Sequence, residues 1–298
     1  MQLQLLPSYE IDKQKWDDCL SNSINPFIYA SSVYLDHLTE NWDGIVDDDY
    51  NIIMPIPWRK KYGYKYCYDV PFVQQLGVFG KTLQQNDIHE CIKLMLHSFK
   101  YGDYSLNFMN NIKSGKVTNN YMLSLASNYR STSFFYSDNL KANLNKAAKQ
   151  AFEYSSAKAE DAIDLFMNVY AEKFSHVTST NYKKFYELCK LKEEENNLIV
   201  RKVSSNKNIL AMNLLLKDKY RIYNIMPCTT QEGKAVSAGH FLLDNIIKEF
   251  SQTGLILDFE GSDISGIERF YKSFGGINQP YIKIHFNRLP YFLRLFKR

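Results

Sequence analysis

At 298 residues, 45% of them hydrophobic and 23% charged, the chain has the composition of an ordinary globular protein with one large or two ordinary domains. A formal net charge of +4 is too mild to argue nucleic acid by itself, and five cysteines without CxxC spacing read as reduced thiols, not a disulfide frame or zinc site. No basic leader precedes an apolar run, and no stretch of about 18 apolar residues occurs, so neither signal peptide nor membrane span is expected and the protein reads as cytoplasmic.

In chain order, LQLLP reads as a strand, and a helix follows with Ile11, Trp16 and Leu20 on its apolar side. Pro26 breaks the chain. A second helix is expected over 29–42, burying Val33, Leu35 and Leu38. Several strands then run to Gly80. Asp47, Asp48 and Asp49 mark a turn between two of them, and Pro55, Pro57 and Pro71 point to edges or bulges. Helix 88–99 and strands 104–108 and 121–125 complete a first half. Helix 139–152 carries the stripe Leu140, Leu144, Ala147, Ala148, Ala151, and the pattern of strands and helices starts over after it. The division expected is therefore 1–137, a connecting helix 138–151, and 152–298. No sequence repeat links the halves.

The second half reads as strand 151–157, helices 158–170 and 181–192, and three strands ending in YRIYNIMP. A small-residue turn then opens into helix HFLLDNIIKEF, strand GLILDFEG and a helix ending ERFYKSFGG. Helix N-termini leave free N–H groups with partial positive charge, so a phosphate can approach a turn of small residues. Lys234, Ala235, Ser237, Ala238, Gly239 and His240 form that turn, with Ser237 as expected N-cap and Lys234 as a mobile cation. A Ser-capped helix packed on its sheet accounts for the same residues. The tail from Tyr281 alternates, Ile282, Ile284 and Phe286 against Tyr281, Lys283 and His285, and then turns basic and aromatic.

The central unit resembles the donor site of the GNAT superfamily of N-acyltransferases, whose loop reads R/Q-x-x-G-x-G/A followed by Leu-Leu. Lys234 stands at the first position, Ser237 and Gly239 at the two glycines, and Leu242 and Leu243 at the leucines. The later signature Y-x-x-x-G-F is similar to Tyr271 through Gly276. Two departures bear on the donor: Lys lacks the planar fork of Arg, and Ser237 adds a side chain where pyrophosphate would lie. The stretch LDFEGSDISGIERFYKSFGG also resembles Fem-type transferases, which carry two GNAT-like domains. VPFVQQLGVFG (70–80) is similar to the first-domain segment of such relatives. The resemblance implies an α/β (α+β) fold of two tandem GNAT-like domains with mixed sheets flanked by helices, and an acceptor groove between them.

It further implies acyl or aminoacyl transfer to an amine. The donor would be acyl-CoA or aminoacyl-tRNA. The acceptor would be an amine-bearing small molecule, or a peptide or cell-wall precursor. Acetyl-CoA-type transfer to a small amine or amino sugar is one alternative, and a binding protein with a decayed donor site is another. Acyl transfer needs a base, an oxyanion donor and an acid for the leaving group. Asp258 and Glu260, two apart on a strand, are expected to share a side, with Glu260 as base; either could instead cap the next loop. Tyr271 falls where GNAT enzymes keep a general acid, though it could equally pack with Phe270 and Phe274. The histidines have no ligand spacing, so no metal is expected. Trp58-Arg59-Lys60-Lys61 is either an acceptor-phosphate site or a solvated strand end. The tail, with Leu289, Phe292, Leu293 and Phe296 among Arg288, Arg294, Lys297 and Arg298, either docks on its own domain or contacts an anionic membrane peripherally.

Overall fold

The computed structural model describes residues 2–61, 63–170, 172–174, 176–261 and 263–291. The chain forms two compact units. The first runs to Thr118 and takes up the chain again from Pro280; the second spans Asn119–Gln279.

The first unit contains β1 (Leu3–Pro7), α1 (Lys13–Asn22), α2 (Ser32–Leu38), β2 (Asn41–Asp47), β3 (Ile52–Lys61), β4 (Tyr64–Cys67), β5 (Phe79–Gly80), α3 (Gln85–Ser98), β6 (Tyr101–Ser105) and β7 (Lys116–Thr118). The second contains β8 (Tyr121–Ser124), α4 (Tyr129–Phe134), α5 (Asp138–Ala147), β9 (Glu153–Ser156), α6 (Ala159–Tyr170), α7 (Ser179–Glu194), β10 (Leu198–Ser205), β11 (Asn208–Lys217), β12 (Arg221–Thr229), α8 (Gln231–Ala235), α9 (Ala238–Glu249), β13 (Ile256–Asp258), α10 (Ser265–Ser273) and β14 (Ile277–Asn278). Strand β15 (Tyr281–Asn287) closes the first unit, whose sheet runs β1-β2-β3-β4-β6-β15-β7, with β5 on β3. The second sheet runs β14-β8-β13-β12-β11-β10-β9. Both are mixed sheets, as expected: β4 pairs parallel to β6, and β12 parallel to β13.

Local chemistry explains most elements. Asp12 accepts from the amides of Gln14 and Lys15 and starts α1, which buries Trp16 and Leu20. The expected helix over 29–42 is split. A short 3₁₀ turn covers Ile28–Ala30, Ser31 then caps α2, and Trp42 already belongs to β2. This phase buries Tyr34, Leu35 and Leu38 and leaves Val33 exposed, contrary to expectation. Pro55 and Pro57 pair with Gly44 and Trp42 of β2. On their other flank β5 reaches only Ile52 and Ile53, and β4 begins opposite Trp58. The missing N–H groups therefore leave no ladder bond unmade, and the Tyr104 phenol donates to the Pro55 carbonyl at 2.6 Å.

The unit boundaries differ from those expected. Helix α5 is not a connector: Leu140 and Ala147 are buried, Leu140 in the second unit's core with Leu242, Leu243 and Ile246 of α9. Strand β8 also belongs to the second unit, pairing with β13 and β14. The expected strand 281–287 does form, with Ile284 and Phe286 buried, but it pairs with β6 and β7 of the first unit. Alternation identifies a strand and its inner face, and it carries no information about which sheet the strand joins. Leu289 is buried; the rest of the expected amphipathic tail, 292–298, lies outside the described residues.

Candidate active site

The site begins with the way two strands part. β12 and β13 pair in parallel at Arg221–Ile256, Ile222–Leu257 and Tyr223–Asp258. β12 continues to Thr229, while β13 has ended. A register shift sets Asn224 and Ile225 of β12 against the single residue Leu215 of β11, a bulge that bends the strand where it loses its neighbour. Among the described residues, no strand flanks Asn224–Thr229 on the β13 side. The result is a wedge beside the C-terminal half of β12.

Tyr271 of α10 stands at this wedge, buried, with its ring stacked on Phe259 at 4.6 Å and 11°. Burial raises its phenol well above the usual tyrosine range, and the nearby Glu260, Tyr170 and Asp258 push the same way. The group is a neutral O–H donor at physiological pH. Its packing partners include Phe270, so the packing role and the wedge position coincide in one residue. Tyr170, at the end of α6, carried no sequence signal of its own. Burial raises its phenol, with Cys228 adding to the rise, and the Thr229 amide beside the oxygen opposes it. The Lys234 ammonium lies 5.7 Å from its ring centroid. Tyr170 thus links the wedge strand, the loop cation and Tyr271.

The donor-type loop is more ordered than a turn. Residues 231–235 form α8, started by the Thr230 hydroxyl, which accepts from the Gly233 amide at 3.0 Å. A Cβ on Gly233 would lie 2.1 Å from the Leu210 carbonyl oxygen, so this glycine lets α8 seat on β11. Ser237 occupies the N-cap position of α9 but does not cap it, contrary to expectation. Its backbone is left-handed (φ 62°), and its buried hydroxyl donates to Asn143 Oδ1 of α5 at 2.9 Å. The left-handed geometry is why a glycine fits this position of the pattern. Lys146 of α5 donates to the Ala235 carbonyl at 2.6 Å, so α5 pins both ends of the short 235–237 segment. Gly239 meets Thr229 closely: a Cβ there would sit 2.6 Å from its Oγ1. Ala238 is wholly buried, and among the described residues the Ala238 and Gly239 amides have no hydrogen-bond partner. His240 is half-buried against Phe270 (4.9 Å) and Phe274 (6.4 Å), and burial lowers its pKa. It is a neutral packed ring, not a solvated cation.

The two carboxylates separate. Asp258 is fully buried. Its Oδ2 takes Arg221 at 3.0 Å; its Oδ1 accepts from Asn120 at 3.0 Å and from the Glu260 amide at 3.1 Å. Burial pushes its carboxyl up, and those three donors oppose the rise. Asp258 and Glu260 do not share a strand face, because the strand ends at Asp258 and the chain turns left-handed at Glu260 and Gly261 (both φ 62°). Glu260 is half-buried and close enough to Tyr271 to raise its phenol. Elsewhere, Arg59 of the WRKK stretch is engaged by Glu40 at 3.0 Å and stacks on Tyr68, while Lys60 and Lys61 are exposed at the strand end. Burial pushes the Cys228 thiol up to about 12, far from a thiolate nucleophile. Among the described residues no group of three His, Cys, Asp or Glu gathers as a metal site, and no helix is long and apolar enough to cross a membrane.

Residues 136–273 match the family profile described as acetyltransferase (GNAT) domain. No curated protein matches in sequence. Among solved structures, one described as FemX aligns over 100% of both chains with a TM-score of 0.71 at 11% identity. A tandem GNAT protein from the clavulanic acid biosynthesis pathway aligns over 97% of this chain and 99% of its own, with a TM-score of 0.55 at 10% identity. L-PGS from Bacillus licheniformis aligns over 96% and 95%, with a TM-score of 0.55 at 11% identity. The profile falls inside the second unit, which holds the parted strands and the loop, and the tandem alignments run through both units. Residues 136–273 form a GNAT-type domain, and the chain as a whole has a tandem fold similar to those of the FemX and tandem GNAT structures.

Proposed function

We propose that the second unit transfers an acyl group to an amine, with Glu260 as base and Tyr271 as acid, and that the donor is an aminoacyl ester of tRNA. The observation that carries the reading is the wedge between β12 and β13, with a buried neutral phenol and a carboxylate together at its mouth. In the step proposed, the Glu260 carboxylate takes a proton from the acceptor ammonium. The amine nitrogen then attacks the ester carbonyl carbon. The C–N bond forms, the C–O bond to the ribose breaks, Tyr271 gives its proton to the departing oxygen, and the second proton of the acylated nitrogen returns to the Tyr271 oxygen, which leaves a neutral amide. The acceptor class is an amine on a small molecule, a peptide or a cell-wall precursor.

The choice of ester over thioester rests on the loop. The Ser237 side chain, Asn143 and Lys146 fill the 235–237 turn on the α5 side, where a pyrophosphate would need small residues and open amides. The unpartnered Ala238 and Gly239 amides, with Lys234 near them, favour the second reading, an acyl-CoA donor. Thermal-shift titration separates the two. Saturable binding of aminoacyl-tRNA without a shift from acyl-CoA supports the ester; an acyl-CoA shift abolished by Lys234→Ala supports the thioester. With the productive donor, Tyr271→Phe keeps the fold and lowers the transfer rate by about 10²–10⁴-fold. Turnover unchanged in that variant removes Tyr271 from the chemistry. No binding of either donor leaves a binding protein with a decayed donor site.

A further inference from the structure

Four segments of the second unit meet where β12 and β13 part. Arg221 opens β12 and pairs with Asp258, the last residue of β13, at 3.0 Å; their side chains are 7% and 0% exposed. Asn120, just ahead of β8, donates to Asp258. Arg221 also donates to Gln279 Oε1 at 3.3 Å, and the Gln279 amide donates back to the Asn120 carbonyl at 2.7 Å. A buried ion pair of this kind is poor evidence for stability, because desolvating the charges offsets their attraction. Its position is what matters. The ladder to β8 still holds at Phe259, whose amide donates to the Tyr121 carbonyl at 2.9 Å. One residue later the Glu260 amide turns back to Asp258, and Glu260 takes a left-handed backbone that a side chain strains. Strained non-glycine residues persist where their surroundings over-determine them, and they cluster at functional sites.

We infer that Asp258, locked in place by Arg221 and Asn120, is a positioning residue that imposes the left-handed turn on Glu260 and so sets its carboxylate beside Tyr271. Its role for catalysis rests on the proposed reading of Glu260 and Tyr271 as base and acid. The physical link does not. Phe259 fixes the ring of Tyr271 by stacking, and the turn directly after Phe259 is the short lever that aims Glu260. The buried pair supplies an acceptor that cannot move.

The test needs no donor. Tyrosine labelled with ¹³C at Cζ is introduced, and the Tyr271 resonance is assigned by its absence in Tyr271→Phe. The groups that act on this phenol are Glu260, Tyr170 and Asp258. Across the carboxylate range of pH, the Tyr271 resonance is expected to show an inflection that Glu260→Gln removes. The Glu260→Gln difference is then measured in two further backgrounds. Asp258→Asn keeps an acceptor for the Glu260 amide and is expected to retain the difference; Asp258→Ala is expected to lose it. A difference of equal size in Asp258→Ala, or none in the wild type, overturns the inference. Because Asp258→Ala leaves the buried Arg221 without its carboxylate, it could fail to fold, so a second pair of variants decides independently. Glu260→Gly relieves the strain and Glu260→Ala does not, so the Gly variant is expected to melt about 2–4 °C higher. An Ala variant as stable as Gly refutes an imposed left-handed turn. A protein inert toward every donor leaves these outcomes untouched, and transfer that survives in Glu260→Gln overturns the reading of Glu260 as base without touching the imposed turn.

Discussion

Substituting Ser237 separates backbone strain from side-chain bonding in the loop. In Ser237→Ala the left-handed strain stays and the bond to Asn143 Oδ1 is lost. A net hydrogen bond is worth about 1 kcal/mol, so the variant is destabilised by about that amount, or about 2–4 °C. In Ser237→Gly the same bond is lost, but relief of a left-handed residue returns about 1–2 kcal/mol. The freer unfolded chain takes back about 0.4–1 kcal/mol. The sum is close to zero. Asn143 is half-buried, so water can reach its freed oxygen and no further penalty arises there. The expected order of melting temperature is therefore wild type equal to Gly, with Ala below both. The assay is urea or thermal unfolding with each transition followed separately, since the chain has two units. Gly as unstable as Ala would mean that the left-handed backbone is not imposed on this position. The same Gly variant opens the loop toward the glycine pattern, so a gain of acyl-CoA binding in Ser237→Gly would show that the serine side chain alone excludes that donor.

Other outcomes follow from the same geometry. Gly239→Ala brings a Cβ to within 2.6 Å of Thr229 Oγ1, on a β-branched side chain with little freedom to move; a loss of about 1–3 kcal/mol is expected, largely recovered by adding Thr229→Ala, and a neutral Gly239→Ala would contradict the packing role of this glycine. Glu249 of α9 accepts from Arg201 of β10 at 2.9 Å and from Tyr154 of β9. Burial acts to raise its carboxyl, but Arg201 and Tyr154 outweigh that and lower it. A lowered carboxyl contributes stability above its unfolded value and loses it as pH falls through the folded one. Glu249→Gln should therefore melt below the wild type at neutral pH, with the gap closing in acid; a gap constant across pH would show that the charge is not what ties α9 to the sheet.

Several site features were legible in the chain because they depend on neighbours in sequence. Tyr271 stood at a recognisable place in a helix, and it lies at the wedge. The small residues after β12 did mark a constrained loop. Their reason was hidden, since Gly233 and Gly239 are small to meet Leu210 and Thr229, which only the folded sheet brings near. The reading of Asp258 and Glu260 as paired on one face assumed that the strand continued past Asp258. Period-two reasoning fails one residue after a strand ends, and nothing local signals that end when the terminating bond comes from the strand's own last side chain. Tyr170, Asn143 and Lys146 were invisible as site residues, because their roles rest on contacts between elements far apart in sequence.

Local patterning by itself determined the kind of most elements and which face of β15 would be buried. The degenerate loop and the Tyr271 helix, in their order, pointed to the GNAT-type fold that residues 136–273 match. Tertiary structure decided which sheet β15 joins, that α5 closes over the donor-type loop, and that Asp258 is enclosed while Glu260 turns toward Tyr271. The physical reason is range. Periodicity, capping and turn preference act within a few residues, whereas strand partners, close glycine contacts and buried ion pairs arise only when distant segments exclude water together.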